Sequence, residues 1–242
     1  MGKKLTGLVL ILLGVVAPGC GSSDSTPNGT LASVQPLQPR ALPLPSQVPE
    51  PVYQAKLYAF LESLDYRSAG WERDKSIRDT GPYKNGQYYG THPAVRIYYS
   101  PEVISWLKGG RQGDIPDGSV IIKEMYPPPA ARYGNGDPKA RLVPNQWTVM
   151  VRDKSGSVDG WYWAYHGTGD PVDQNREYPF LYPDSGFGSY CVRCHGSAER
   201  SLTFVSLANI EGYPGQPETY EVDNSWQTDT DGPGKDAHPN IS

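Results

Sequence analysis

Cys191-Val192-Arg193-Cys194-His195 is the stretch in which residue type and spacing together specify a chemistry. Two thiols separated by two residues, with an imidazole directly behind the second, form the C-x-x-C-H pattern of covalent c-type haem attachment. In that chemistry each thiol adds across a haem vinyl group, and the adjacent imidazole becomes an axial ligand of the iron. Two thioethers so close in the chain fix the macrocycle edge against the backbone, which leaves His195 placed to reach the metal. One such motif means one haem. Other uses of a close cysteine pair fit less well. A thioredoxin-like redox pair opens a helix after a strand in a βαβ unit, and no such unit is visible in the pattern. Zinc needs a second ligand pair at metal spacing, whereas Cys20, His92, His166 and His238 are scattered singly. A plain disulfide stays open beside haem.

The group opposite His195 decides the function. A methionine or histidine there gives a saturated electron carrier, and an open position admits small ligands and chemistry at iron. The candidates are His92, His166, Met125 and Met150, and the sequence does not choose among them. Catalysis would also need an acid or base to move protons. Glu124 is the first carboxylate to test as a catalytic residue, ahead of Asp159 and Asp170. Each has a plainer role available: core filling for the methionines, and pairing with a neighbouring Lys or Arg for Glu124.

The chain start indicates the compartment. Lys3 and Lys4 precede an apolar run over residues 5–17 that is too short to span a bilayer, which reads as a signal peptide over residues 1–19. Gly19-Cys20 stands where a bacterial lipoprotein places its small residue and its acylated cysteine, so Cys20 is the expected lipidation site. The expected location is the cell envelope, exported and membrane-anchored, facing the periplasm or at the cell surface. Export also supplies the compartment in which haem is attached. A formal charge of −4, with both signs mixed along the chain, leaves no electrostatic footprint for nucleic acid.

Around the motif, the chain divides by composition. Residues 20–51 are Ser/Pro-rich and read as an extended spacer, residues 52–220 as one domain, and residues 221–242 as a polar tail that Trp226 could pin at its start. With 17 Tyr, 27 Gly and 24 Pro, the composition favours a loop-rich, strand-containing fold over a helical bundle. Tyr53, Leu57, Phe60, Leu61 and Leu64 recur at helical steps. AVRIYYS reads as a strand, PEVISWLKG as a short helix with Pro101 in its first turn, and IPDG as a turn. SVIIKEMY, QWTVMVRD and DGWYWAYH read as three further strands, the last two joined as a hairpin through KSGSVDG. In the last strand Trp161, Trp163 and Tyr165 share one face, with Tyr162, Ala164 and His166 on the other. The expected class is α+β, mainly an antiparallel β-sheet with a few packed helices.

THPAVRIYYSPEV, GGRQGDIPDGSVIIKEMY, WTVMVRDKSGSVDGWYWAY and CVRCHGSAE followed by TF, in that order, resemble the cytochrome P-460 family of small exported haem c proteins, over roughly residues 70–205. The resemblance implies a largely antiparallel β fold that often dimerises, so a homodimer is one partner to expect. It also implies one covalently attached haem c, held through Cys191, Cys194 and His195, and an open distal side. Family members act on nitrogen oxides or hydroxylamine, and relatives bind nitric oxide without turnover. A redox partner protein and a small ligand such as nitric oxide or hydroxylamine are therefore expected. Hydroxylamine-oxidising members carry a lysine bonded to the haem, from a strand upstream of the PDG turn. The strand matched here, VRIYYS, offers only Arg96, whose guanidinium stays protonated and cannot replace an amine nucleophile. Lys84 and Lys108 are the nearest lysines and lie outside that strand, so the cross-link and the oxidase activity are not expected from this reading. The leading expectation is a membrane-anchored mono-haem c cytochrome that transfers electrons or binds a small nitrogen oxide, with a hydroxylamine-oxidising enzyme as the alternative.

Overall fold

A computed structural model describes residues 42–80, 83–84, 87–88, 92, 94–133, 144, 146–168, 191–192, 194–218 and 220. Helix α1 (Glu50–Glu62) leads into a single turn, α2 (Asp65–Ser68). Short strands β1 (Glu72–Arg73), β2 (Arg78–Asp79), β3 (Tyr83–Lys84) and β4 (Gln87–Tyr88) follow, then β5 (Ala94–Tyr99) and helix α3 (Pro101–Lys108). The long strands β6 (Val120–Tyr126), β7 (Gln146–Arg152) and β8 (Trp161–Gly167) complete an antiparallel sheet in the order β1-β5-β6-β7-β8, with β2 also paired to β5. β3 and β4 form a separate two-stranded ladder. The expected α+β class, dominated by an antiparallel sheet, is the observed one.

Local chemistry accounts for the turns. Gly118 holds φ 82° at the end of the PDG turn, a left-handed conformation that costs glycine little, and Ser119 N–H closes that turn on Pro116 O at 3.1 Å. Asp153 N–H bonds Gly160 O at 3.0 Å to close the β7–β8 hairpin. Asp159 holds the far side of that hairpin, accepting from Trp161 N–H and Ser157 Oγ.

The sheet is covered on both faces. One face packs against α1 and α2 through Tyr53, Leu57, Leu61 and Tyr66, which meet Val120, Ile122, Val149, Tyr162 and Ala164. The other packs Val95, Ile97, Tyr99, Ile121, Met125, Met150, Trp161 and Trp163 against α3, the segment around Val205 and Ile210, and the half-buried Cys191. Each fully buried Leu or Ile adds about 1.5–3 kcal/mol relative to exposure.

Two expectations are corrected. Leu64 does not continue the helical stripe: the helix stops at Glu62 and Leu64 takes φ 57°, turning the chain into α2. The Pro-rich segment is not an extended spacer up to residue 51, because Leu42 and Val48 already pack on the sheet core and Ser46 N–H donates to Asp153 Oδ2 at 2.7 Å. The expected signal peptide, Cys20 and the tail with Trp226 lie outside the described residues. Among those residues, no helix is long and apolar enough to cross a membrane.

Candidate functional site

β6 is the strand that sorts the charges. Its seven residues are all buried, and alternation sends Ile121, Lys123 and Met125 to one face and Val120, Ile122 and Glu124 to the other. Lys123 thus reaches the face on which the C-x-x-C-H turn sits. Cys191, Val192, Cys194 and His195 lie in one short helical stretch, closed by Gly196 N–H on Val192 O at 2.7 Å. No disulfide joins the two sulfurs.

After His195 the chain turns back sharply. Ser201 and Leu202 both adopt left-handed φ values, 49° and 55°, which cost non-glycine residues and persist where surroundings enforce them. The turn brings Leu202 O to His195 Nδ1 at 2.6 Å. A carbonyl only accepts, so Nδ1 carries the proton and Nε2 presents its lone pair. His195 is 6 % exposed, with Trp163 edge-on at a ring separation of 5.0 Å and Phe204 at 5.4 Å. Its Nε2 lies 3.0 Å from Lys123 Nζ.

A second imidazole faces the same ammonium. His92 Nε2 lies 3.2 Å from Lys123 Nζ, and its ring centre stands 6.3 Å from that of His195. Desolvation pushes the Lys123 ammonium down to about 8, and Arg78 adds to the fall, while thiolates at Cys191 and Cys194 would oppose it. Desolvation first, and Lys123 second, hold both imidazoles well below the usual histidine range, and so neutral. Burial likewise raises the Cys191 thiol, so the unmodified sulfur is protonated rather than a free thiolate. Thr148 is the cross-strand partner of Lys123, and its buried Oγ1 has no hydrogen-bond partner among the described residues.

The donor set suits a covalently held haem better than other metals. Two cysteine sulfurs not joined to each other, an imidazole in the Nδ1–H form, and an aromatic wall are what thioether attachment and axial ligation require. No group of three or more His, Cys, Asp or Glu able to hold a metal ion occurs among the described residues, so the set lacks the ligand count of a zinc site.

The structure sorts the remaining expectations. Glu124 is not in the site. It lies on the opposite face of β6, fully buried, where Oε1 accepts from Tyr66 OH and Arg67 Nε, each at 2.6 Å, and Oε2 accepts from Tyr126 OH at 2.6 Å. Trp147 Nε1 donates to Tyr66 OH at 3.0 Å, extending the network. A carboxylate with its acceptors so filled is a structural anchor rather than a proton shuttle. His166 is on that same face, stacked between Tyr58 and Trp147, with Nε2 2.8 Å from Glu62 Oε1. Met125 and Met150 do share the His195 face, inside its apolar core. Of the four candidates for the iron's far side, His92 alone points a nitrogen at the Lys123–His195 pair.

Asp159 stands one residue removed, accepting from Trp163 Nε1 at 2.8 Å. Asp170 and His238 lie outside the described residues, as does the Lys84 side chain. Arg96 pairs in register with Glu124, away from the site, and exposed Lys108 lies beside Glu72 and Tyr213. The lysine next to His195 therefore comes from β6, downstream of the PDG turn. Sequence reasoning missed it, although period two in SVIIKEMY places Lys123 in the apolar row of Ile121 and Met125, which is the signal that could have found it.

Comparison with curated proteins finds no match, and neither does comparison with solved structures. The profile of the family described as Cytochrome P460 matches residues 65–205, from α2 through the C-x-x-C-H turn to Val205, more than half of the chain. The Lys123–His195 face and the sheet that carries it fall inside that span, and the chain belongs to the cytochrome P460 family, haem-binding cytochromes related to hydroxylamine-oxidising enzymes.

Proposed function

We propose that the protein is a membrane-anchored c-type cytochrome with one haem, bound through Cys191 and Cys194 and ligated by His195, which transfers electrons or binds a small nitrogen oxide. The observation that carries this reading is the C-x-x-C-H turn itself: two unbridged thiols, Cys191 one helical turn before a buried imidazole and Cys194 directly before it, with the imidazole's Nδ1–H held by Leu202 O. Each thiol would add as S–H across a vinyl C=C, forming one C–S and one C–H bond with no net oxidation. The carbonyl on Nδ1 fixes the ring and raises the basicity of Nε2 toward iron. Trp163, Phe204 and the apolar row around Met150 keep water from the pocket, which lowers its dielectric and tunes the redox potential. Cys20 would carry the lipid anchor, placing the domain in the cell envelope within reach of a redox partner protein.

One observation favours a second reading, an enzyme oxidising hydroxylamine or a related nitrogen compound. Lys123 brings a buried amine against His195, the residue type that the hydroxylamine-oxidising relatives link to their haem.

Production in a host that matures c-type cytochromes tests both. The wild type is expected to keep one haem per chain through denaturing gel electrophoresis, and Cys191→Ser combined with Cys194→Ser is expected to lose it entirely. Colourless wild-type protein with the two cysteines joined as a disulfide would overturn the first reading. Ordinary ferrous haem c bands support the carrier, whereas a strongly red-shifted ferrous band supports the enzyme.

A further inference from the structure

We propose that the 200–203 turn behind the C-x-x-C-H motif, clasped to the end of α3 by Arg111 and Arg200, sets how strongly His195 donates to iron, with Leu202 and Arg111 as its positioning residues. This rests on the haem reading above and goes beyond it, since that reading takes the Leu202 carbonyl as given and does not say what holds it in place.

The backbone of this turn is strained. Ser201 and Leu202 take φ 49° and 55°, and Thr203 N–H closes on Arg200 O at 2.9 Å. Two successive left-handed residues inside such a turn are the mark of type I′, which Asn, Asp and Gly normally fill. Leucine has neither the freedom of glycine nor a short polar side chain to bond locally. Neither central residue offsets the strain through its own N–H, since neither donates a backbone hydrogen bond among the described residues. What the turn delivers is the Leu202 carbonyl, 2.6 Å from His195 Nδ1. Backbone outliers of this kind persist where their surroundings over-determine them, and they gather at functional sites.

The surroundings do over-determine this one. Inside the turn, Arg200 O accepts a second time, from Thr203 Oγ1 at 3.0 Å, and Thr203 is buried. Outside it, two arginines cross between the turn and α3. Arg200 Nη1 donates to Arg111 O at 3.0 Å, while Arg111 Nη1 reaches Val205 O at 3.5 Å and its Nη2 pairs with Glu199. Arg111 is itself left-handed, at φ 58°, with its N–H closed on Trp106 O at 3.0 Å, so the clasp starts from a fixed point on the helix end. The segments before and after the turn are thereby tied to one helix terminus, and the carbonyl between them is held at His195. Glu199 is 77 % exposed, and ion pairs so open to water add little to global stability. A clasp of this form suits the placing of one atom better than the holding of a fold.

The effect on the imidazole follows from its setting. His195 is buried between Trp163 and Phe204, where a hydrogen bond is electrostatically stronger than in water. A close acceptor on Nδ1–H draws the proton from the ring and makes Nε2 the stronger donor. A stronger donor favours ferric over ferrous iron, so the intact turn lowers the reduction potential and loosening it raises the potential.

The test uses full-length haem-loaded protein and two measurements: the midpoint potential by redox titration, and the iron–histidine stretch of the ferrous state by resonance Raman. Leu202→Pro and Leu202→Gly form the decisive pair. Both remove the leucine side chain and keep the carbonyl, but proline fixes φ at about −65° and excludes the left-handed region, whereas glycine enters it freely. Leu202→Gly is expected to keep the wild-type potential and stretch. Leu202→Pro is expected to raise the potential and lower the stretching frequency, with covalent haem retained. Arg111→Ala, at a side chain 24 % exposed, is expected to move both readouts in the same direction by less, and it carries the test should the proline variant not fold. The proposal is overturned if Leu202→Gly shifts as far as Leu202→Pro, or if neither Leu202→Pro nor Arg111→Ala departs from the wild type. Either result leaves the covalent haem, and with it the cytochrome reading, intact. Absence of covalent haem in the wild type instead removes the cytochrome reading together with the inference built on it.

Discussion

Lys123 and Glu124 are neighbours on one strand, both buried and both of a type that bears charge, yet they have opposite circumstances. Glu124 faces α2, where Tyr66, Tyr126 and Arg67 supply donors to its two oxygens. Lys123 faces the C-x-x-C-H turn, where two neutral imidazoles accept from it, and the hydroxyl opposite it on β7 has no partner among the described residues. Burying a charge with every valence answered anchors a fold, whereas burying one with a weak, neutral set of acceptors costs stability and persists where a site needs it. The contrast sets the face of the proposed site apart from the face that anchors the sheet, without appeal to any ligand.

The sharpest way to break the comparison is to remove the anchor. Glu124→Ala strands the Tyr66 and Tyr126 hydroxyls and leaves Arg67 without its anion, and losing one member of a buried charged network costs about 3–5 kcal/mol. Arg67 keeps 22 % exposure and can turn partly to water, which favours the lower end of that range. The expected result in urea denaturation is a loss of about 3 kcal/mol, with covalent haem and its spectrum retained. A stable Glu124→Ala protein with an altered haem spectrum would reverse the assignment of the two faces.

The converse substitution carries a smaller effect. Lys123→Met exchanges a desolvated ammonium for an apolar chain of similar length beside Ile121, Met125 and Met150. Replacing such a charge by a well-fitting apolar group is neutral or stabilising, so the unfolding free energy is expected to hold or rise by up to about 1 kcal/mol. The absorption spectrum should change, because the amine beside His195 is gone. If Lys123→Met instead destabilised the fold as much as Glu124→Ala, Lys123 would be an anchor too.

The same two residues mark the limit of what the sequence reveals. The strands around them, the Pro101 helix start and the PDG turn with left-handed Gly118 were legible because local backbone chemistry specifies them. The C-x-x-C-H motif stands out in the sequence because its residue types and spacing alone carry the proposal of haem attachment. Period two also separated Lys123 from Glu124, but it could not say which face would meet the cysteines. In a sheet covered on one side only, the charged residue points to water, and the pattern decides the matter. Here both faces are buried, so the decision lies in contacts far apart in the chain: Arg67 to Glu124 across 57 residues, and Lys123 to His195 across 72. His92 was legible as a histidine but not as a partner of His195, because Thr80, Lys123 and the strained Ser201–Leu202 turn determine where the nitrogens point. The docking of Leu42 and Val48 was hidden by a composition that otherwise reads as a spacer.

The smallest expected effect lies between the two regions in kind. Thr148 pairs with Lys123 across the β6–β7 ladder and buries Oγ1 with no partner among the described residues. Thr148→Val changes a hydroxyl to a methyl on a branched side chain of nearly the same shape. If Oγ1 is simply desolvated, removing it returns up to about 1 kcal/mol to the folded state of the haem-loaded protein. The expected readout is an unchanged or slightly higher denaturation midpoint, together with altered affinity for an added small ligand, since this hydroxyl stands on the site face of the sheet. A loss of more than about 1 kcal/mol would mean that Oγ1 is hydrogen-bonded in solution, and Thr148 would then belong with Glu124, as a satisfied polar group that holds the sheet rather than one the site keeps in reserve.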